Sequence, residues 1–321
     1  MTTTTGSVAL ATTVEKRLGD PYDTTNPNGF RAILAAREAG QPPAGEPFRV
    51  DGIDGGDVDP ESLMHALRAG YRRSPTLTRS GGGDRWGSGA VTVGAAAVGT
   101  LDSGLRMTLR HLRARRLYGA AAIDIPQLRA VLAGAYADLL VCDTLTTLAV
   151  RNTDAFPARP DAHDRVVRIL VPRVLQGAMD RLSLAMGSRF YIREGEHPAF
   201  HLLLNEMQSA LFAADGRGAS DRAADGRPDR LPKPAVAAAP LSGMTVADLI
   251  TAPAVTALCD PELLAAAPGH ALITRAALIT QGRETPRPSQ AALERLFAEL
   301  DRRYDTGHSF DLAERPLPDR P

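Results

Sequence analysis

Four arginines, Arg110, Arg113, Arg115 and Arg116, crowd the end of a long alanine- and leucine-rich stretch, and Leu117-Tyr118-Gly119 follows at once. Guanidinium groups at this density have two ordinary uses. They form the solvated face of a helix end, or their N–H forks bind phosphate or carboxylate oxygens. No basic stripe extends beyond the cluster, which argues against nucleic acid. His197 and His201 have the four-residue spacing of a helical ligand pair. Pro198 starts a helix between them, however, and no third ligand is evident, so cap and surface roles fit better than zinc. His111 takes an ordinary helical position. Glu194 and Glu196 flank Gly195 as a loop carboxylate pair of the kind that is usually solvated. Asp215 is a single carboxylate bordering a polar, glycine-rich run. Cys142 and Cys259 have neither CxxC nor Cys/His spacing, which excludes a disulfide framework and a cysteine metal site. Cys142, inside a helical pattern, reads as a small core hydrophobe.

The elements that must position these groups are helical. Residues 1–28, rich in Thr, Gly, Asn and Pro, are expected to be poorly ordered, and Gly29 to Gly40 reads as a short helix. Asp59-Pro60-Glu61 is a helix start, with Asp as the cap and Pro in the first turn, and the helix runs through Leu63, Leu67 and Tyr71. Ser74 to Gly89 is turn-rich. From Val91 a long helix is expected to reach Gly119. Pro126 opens a second, with Leu128, Leu132, Ala135, Leu139, Cys142, Leu145 and Ala149 in steps of three and four. The third carries Val167, Val171, Val174, Ala178 and Leu182 and ends at Gly187. The fourth runs from Pro198 to about Phe212. Four such helices with short links predict an antiparallel four-helix bundle.

The expected division is therefore a partial N-terminal helical segment with a Gly-rich junction (1–89) and a helical bundle (90–214). A disordered linker (215–244) and a helical tail (245–321) follow. The tail holds short helices near Thr245–Ile250, Pro261–Ala266 and Gly269–Thr280 and an amphipathic one from Ser289 to Tyr304. Its end, RPLPDRP, is expected to be unstructured. Strand-like alternation is confined to Phe48–Ile53 and Ala90–Val93, the latter better read as a helix start, so the fold class is all-α.

Composition agrees. The 321 residues are 44% hydrophobic, largely Ala, Leu and Val, with 5% aromatics, a mix that favours helices. The net charge of zero gives no global attraction to nucleic acid or acidic membranes. No secretory leader or spanning run is seen, so a cytoplasmic protein without membrane or nucleic-acid partners is expected.

Arg115-Arg116-Leu117-Tyr118-Gly119, followed by Gln127, resembles the Arg-x-x-Phe-Gly…Gln signature of the acyl-CoA dehydrogenase family. MGSRFYIREGEHPAF resembles the glycine turn and proline that precede the family's last helix, with Gly187, Phe190 and Pro198 matching. Ser183, Met186 and Arg189 stand where the family has its Gln and flanking glycines. The resemblance spans about Val91 to Phe212 and implies the helical C-terminal domain of those enzymes. The opening segment RLGDPYDTTNPNGFRAILAAREAG is similar to dehydrogenase relatives from actinobacterial biosynthetic clusters. The family's central β-domain has no counterpart, since SGGGDRWGSG leads directly into the bundle.

The resemblance further implies FAD as cofactor, α,β-desaturation of an acyl thioester as reaction, and a homo-oligomer sharing flavin across an interface. Arg115, Tyr118, Gly119, Gln127 and Gly187 would contact the cofactor. The base, a Glu just after the last helix in most of the family, would fall to Asp215 here. The competing expectation is a non-catalytic remnant bundle serving oligomerisation or partner binding.

Overall fold

The computed structural model describes residues 3–41, 58–74, 89–155, 160–187, 197–207 and 290–319. The elements are α1 (Thr3–Leu18), α2 (Phe30–Glu38), α3 (Pro60–Tyr71) and α4 (Ala90–Ala114). A two-stranded hairpin follows, β1 (Arg116–Leu117) and β2 (Ala120–Ala121), then α5 (Pro126–Ala155), α6 (Pro160–Met186), α7 (197–207) and α8 (Gln290–Asp305). The described residues are thus mostly helical, as the sequence pattern predicts. No described helix is long and apolar enough to cross a membrane.

The main core is made by the stripes read from the sequence. Leu101, Leu105, Leu109 and Leu112 of α4 meet Leu132, Tyr136, Leu139 and Cys142 of α5, and Val171, Val174 and Leu182 of α6. Phe200, Leu203, Leu204 and Met207 of α7 join the same cluster. Helices α4 and α6 run the same way. A Cβ on Gly104 would lie 2.7 Å from Met179 Sδ, and one on Gly187, just past α6, would lie 3.1 Å from Arg115 Nη1, just past α4. Leu296, Leu300 and Tyr304 of α8 close the core, and α8 packs on α5.

On another side of α4 lies α3. Asp59 caps it, accepting from the N–H groups of Glu61 (3.1 Å) and Ser62 (2.9 Å). Close approach is required here: a Cβ on Gly99 would come within 2.7 Å of the Arg68 carbonyl and 2.9 Å of Tyr71 Cβ. In turn α1 packs on α3, with Val14 and Leu18 against Ala66 and Ala69.

Four expectations are corrected. Residues 3–18 form a helix, and Asp20 to Gly29 make ordered turns, with Asn26 Nδ2 donating to the carbonyls of Leu18 (2.8 Å) and Asp20 (2.7 Å). Thr-rich composition argued against this helix. Burial of Ala11, Val14 and Leu18 overrides that weak prior. Second, α4 stops at Ala114 and not Gly119, because Arg115 is extended and its carbonyl accepts from Ala122 N–H (2.8 Å). Third, a short hairpin exists, its turn made by Tyr118 (φ 51°) and Gly119 (φ 87°). Two consecutive positive φ values are the geometry of a tight two-residue hairpin turn. Fourth, Arg315 and Asp319 of the RPLPDRP end are buried, and His308 bridges Pro316. The expected helices between 245 and 280, the alternation at Phe48–Ile53, and residues 208–289 as a whole lie outside the described residues.

Partial burial would raise the Asp59 carboxyl, but the Ser62 hydroxyl, which also donates to it, and the two backbone N–H groups hold it below the usual 3.8. Asp59→Ala is expected to lower stability by about 1 kcal/mol, read by urea denaturation. A group with a depressed folded pKa contributes above its unfolded pKa. The difference between the two proteins should therefore shrink as pH falls below 3.8.

Candidate functional site

The structure brings together two of the sequence-predicted site residues. Arg115, just past α4, reaches Gly187, just past α6, where a side chain's first carbon would stand 3.1 Å from the guanidinium. Gly187 has φ 74°, a left-handed conformation that ends α6. Among the described residues no carboxylate pairs with Arg115. The other arginines of the cluster differ. Arg110 lies over the Tyr22 ring at 4.2 Å, and Arg113 pairs with Asp301 (2.6 Å) and Asp305 (2.7 Å) of α8 while covering Tyr304. The cluster thus divides into two internal braces, an exposed Arg116, and Arg115 facing a glycine turn.

Tyr118 and Gly119 form the hairpin tip, and the Tyr118 side chain is fully exposed. Leu184, one turn before Gly187, is 80% exposed. These are the two exposed large hydrophobic side chains among the described residues. Gln127 is exposed in the first turn of α5 and is not brought to the Arg115–Gly187 contact by any described interaction. Asp215, Phe190, Glu194, Glu196 and Cys259 lie outside the described residues. Ser183 donates to the Asp180 carbonyl (2.7 Å) as an ordinary helical serine.

His197 is buried and meets His111 edge-on, with ring centroids 4.8 Å apart, while His201 is exposed beside Asn205. Among the described residues no group of three His, Cys, Asp or Glu side chains is placed to hold a metal ion. Cys142 is fully buried, and desolvation pushes its thiol pKa well up, so it behaves as the apolar residue its helical position suggested.

The largest chemical feature is one that the sequence reading missed. Five arginines, Arg68, Arg72, Arg73, Arg106 and Arg315, each no more than 2% exposed, face five buried carboxylates. Arg68 pairs with Asp143 and with Asp311 (3.1 Å). Arg72 pairs with Glu15 (3.0 Å), Asp102 (3.1 Å) and Asp319. Arg73 reaches Glu15 (3.2 Å) and the carbonyls of Ala69 and Gly19, and Arg106 pairs with Asp102 (2.7 Å). Arg315 pairs with Asp311 (3.1 Å).

The charges balance, which is what makes their burial possible. Burial alone would raise Asp311 and Asp319, but their arginines outweigh it and hold both below the usual carboxylate range. Asp143 goes the other way. Desolvation and the neighbouring Asp311 charge lift it despite Arg68. The sequence cue was present as RAGYRRS, with Arg68 and Arg72 four residues apart and Arg73 next to them. Their partners, however, lie in four other segments, and no local pattern joins them.

Comparison of the chain with protein-family models, curated proteins and solved structures gives no match.

Arg68→Ala would leave Asp143 and Asp311 buried without the cation they share. A loss of about 3–5 kcal/mol is expected, measured by thermal or urea unfolding at neutral pH. Asp143, left with no guanidinium, would have its raised pKa lifted further and bind a proton in the folded state, while Asp311 keeps Arg315. The deficit should therefore narrow as pH is lowered from 7 toward 5. A deficit independent of pH would show that lost packing, not charge, is responsible.

Proposed function

We propose that the chain is a flavin-dependent oxidoreductase of the acyl-CoA dehydrogenase type, built on that family's C-terminal kind of four-helix bundle. Its substrate would be an acyl thioester on coenzyme A or an acyl carrier protein. The observation that carries this reading is the convergence of Arg115 with Gly187, two residues from separate motif matches. A guanidinium that no carboxylate among the described residues pairs with, set beside a glycine in left-handed conformation, is suited to a pyrophosphate. The missing Cβ at Gly187 leaves the space that such a contact needs. Tyr118, exposed at the hairpin tip, offers a flat apolar face in the position where the resemblance has Phe. Arg115 would hold the pyrophosphate of FAD and Tyr118 would lie against the dinucleotide. The cofactor, when bound, supplies an acceptor for hydride from the substrate β-carbon. Removal of the α-proton falls to a carboxylate, for which Asp215 is the proposed base. Exposed Tyr118 and Leu184 at this end also suit a homo-oligomer in which a neighbouring subunit covers them.

A second reading, a bundle that pairs or binds partners without turnover, is favoured by one observation. Every buried carboxylate among the described residues, from Glu15 to Asp319, pairs with an arginine, Asp138 with Arg181 and Glu206 with Arg37 included. None of these is available as a base.

The visible spectrum of the chain purified after expression with FAD separates the two. The first reading expects bound flavin near one per subunit, bleaching on addition of an acyl-CoA. Arg115→Ala should lower flavin content about tenfold or more, the scale of a lost charge-assisted contact, without changing helicity. If flavin binds and Asp215→Asn leaves bleaching intact, Asp215 is not the base. A colourless, helical protein would favour the second reading.

A further inference from the structure

The segment His308–Asp319, after α8, is a strap with a distinct manner of attachment. Its backbone is bonded to itself and to the end of α8: His308 N–H donates to Arg303 O (2.8 Å), Ser309 N–H to Arg315 O (2.8 Å) and Leu317 N–H to Gly307 O (2.8 Å). Among the described residues none of its backbone–backbone hydrogen bonds reaches α1, α3, α4 or α5. Those helices hold it through side chains. Asp102 accepts from Phe310 N–H (2.7 Å), and Asp143 accepts from Leu312 N–H (2.7 Å). Arg106 donates to the His308 carbonyl and covers the Phe310 ring at 4.2 Å. Asp311 pairs with Arg68, and Asp319 pairs with Arg72.

The two sides are electrically complementary. The helices contribute four buried guanidiniums against three carboxylates, Glu15, Asp102 and Asp143. The strap supplies two carboxylates and one guanidinium. Each side alone carries one uncompensated charge, of opposite sign, and docking cancels them. A segment of other sequence would leave Arg68 or Arg72 short of a counter-charge, so the slot selects its occupant. The only large apolar side chain the strap buries completely is Phe310. Phe310 meets Tyr136 of α5 edge-on in the main core, so parting the strap uncovers that contact, while water can resolvate the charged groups.

We propose that the strap is a releasable internal ligand. It occupies a slot walled by Arg68, Arg72, Arg106, Asp102 and Asp143 that recognises an acidic segment folded back on itself, with an aromatic residue directly before its first carboxylate. The occupant is the chain's own segment His308–Asp319, held in cis. This assignment is independent of the flavin reading, since it rests on different residues and needs no cofactor.

The test uses the full chain. Hydrogen exchange at neutral pH should show the strap amides opening separately from those of α4–α6. Asp319→Asn should speed strap exchange about tenfold or more while leaving α4–α6 unchanged. Arg72 keeps Glu15 and Asp102 in that variant, so its guanidinium stays paired while the layer as a whole is left with one positive charge in excess. As a second measurement, a fluorescent peptide of residues 305–321 should bind the Asp319→Asn chain saturably and more tightly than it binds the unaltered chain. The same peptide carrying D311N and D319N should not bind. One common exchange rate for strap and bundle in both proteins, or failure of the peptide to bind the Asp319→Asn chain, overturns the proposal. A dimer by light scattering that the peptide converts to monomers overturns the cis assignment, because the occupant would then be a second copy's strap.

Discussion

Ten charges removed from water in one layer are the constraint on which the rest of this structure depends. Isolated, each would carry a desolvation penalty of several kcal/mol. Together they are tolerated because five guanidiniums and five carboxylates interlock, and most guanidiniums reach more than one oxygen. Such a set adds little net stability over a well-packed apolar layer. It does impose a single arrangement, since sliding any one helix leaves a buried charge unmatched. Helices α1, α3, α4 and α5 and the strap after α8 all contribute to it, so Glu15 and Asp319, far apart in sequence, share Arg72 in this layer.

Helix α4 is where this layer meets the apolar core. Leu101, Leu105, Leu109 and Leu112 face α5 and α6. Asp102, Arg106, Arg110 and Arg113, again in steps of three and four, form a polar seam. Arg106 serves the strap, Arg110 lies on Tyr22, and Arg113 serves α8. Beyond the seam the helix ends, and Arg115 turns to Gly187. The candidate cofactor surface is thus set by the same rod that carries the charged layer. Gly99 connects the two sides, because only a residue without Cβ lets α3 approach closely enough for Arg68 and Arg72 to reach their partners.

Local chemistry made much of this legible. Asp59-Pro60 marked the start of α3, Pro126 that of α5, and the leucine and valine stripes marked the buried faces, since 3.6-residue periodicity survives whatever the helix packs against. Where the reading failed, a distant partner decided. Thr3–Leu18 is helical because its apolar face and Glu15 are taken up by α3. The long helix breaks at Ala114 because Arg115 bonds across the hairpin to Ala122. Tyr118-Gly119 gave a weak turn signal, lacking the Asn or Asp usual at such a tip.

By itself the sequence determined a mainly helical fold among the described residues, the faces its helices bury, and the residue types at Arg115, Tyr118 and Gly187 that motivate a flavin reading. These follow from interactions within a few residues, where spacing carries the information. Only the tertiary structure decided that RAGYRRS and SFDLAERPLPD enter one neutral layer with Glu15, Asp102, Arg106 and Asp143, and that Arg115 faces Gly187. Charge pairing has no period and no fixed separation along a chain. An arginine bound for the interior and one bound for solvent look alike until a carboxylate from another segment is placed against it.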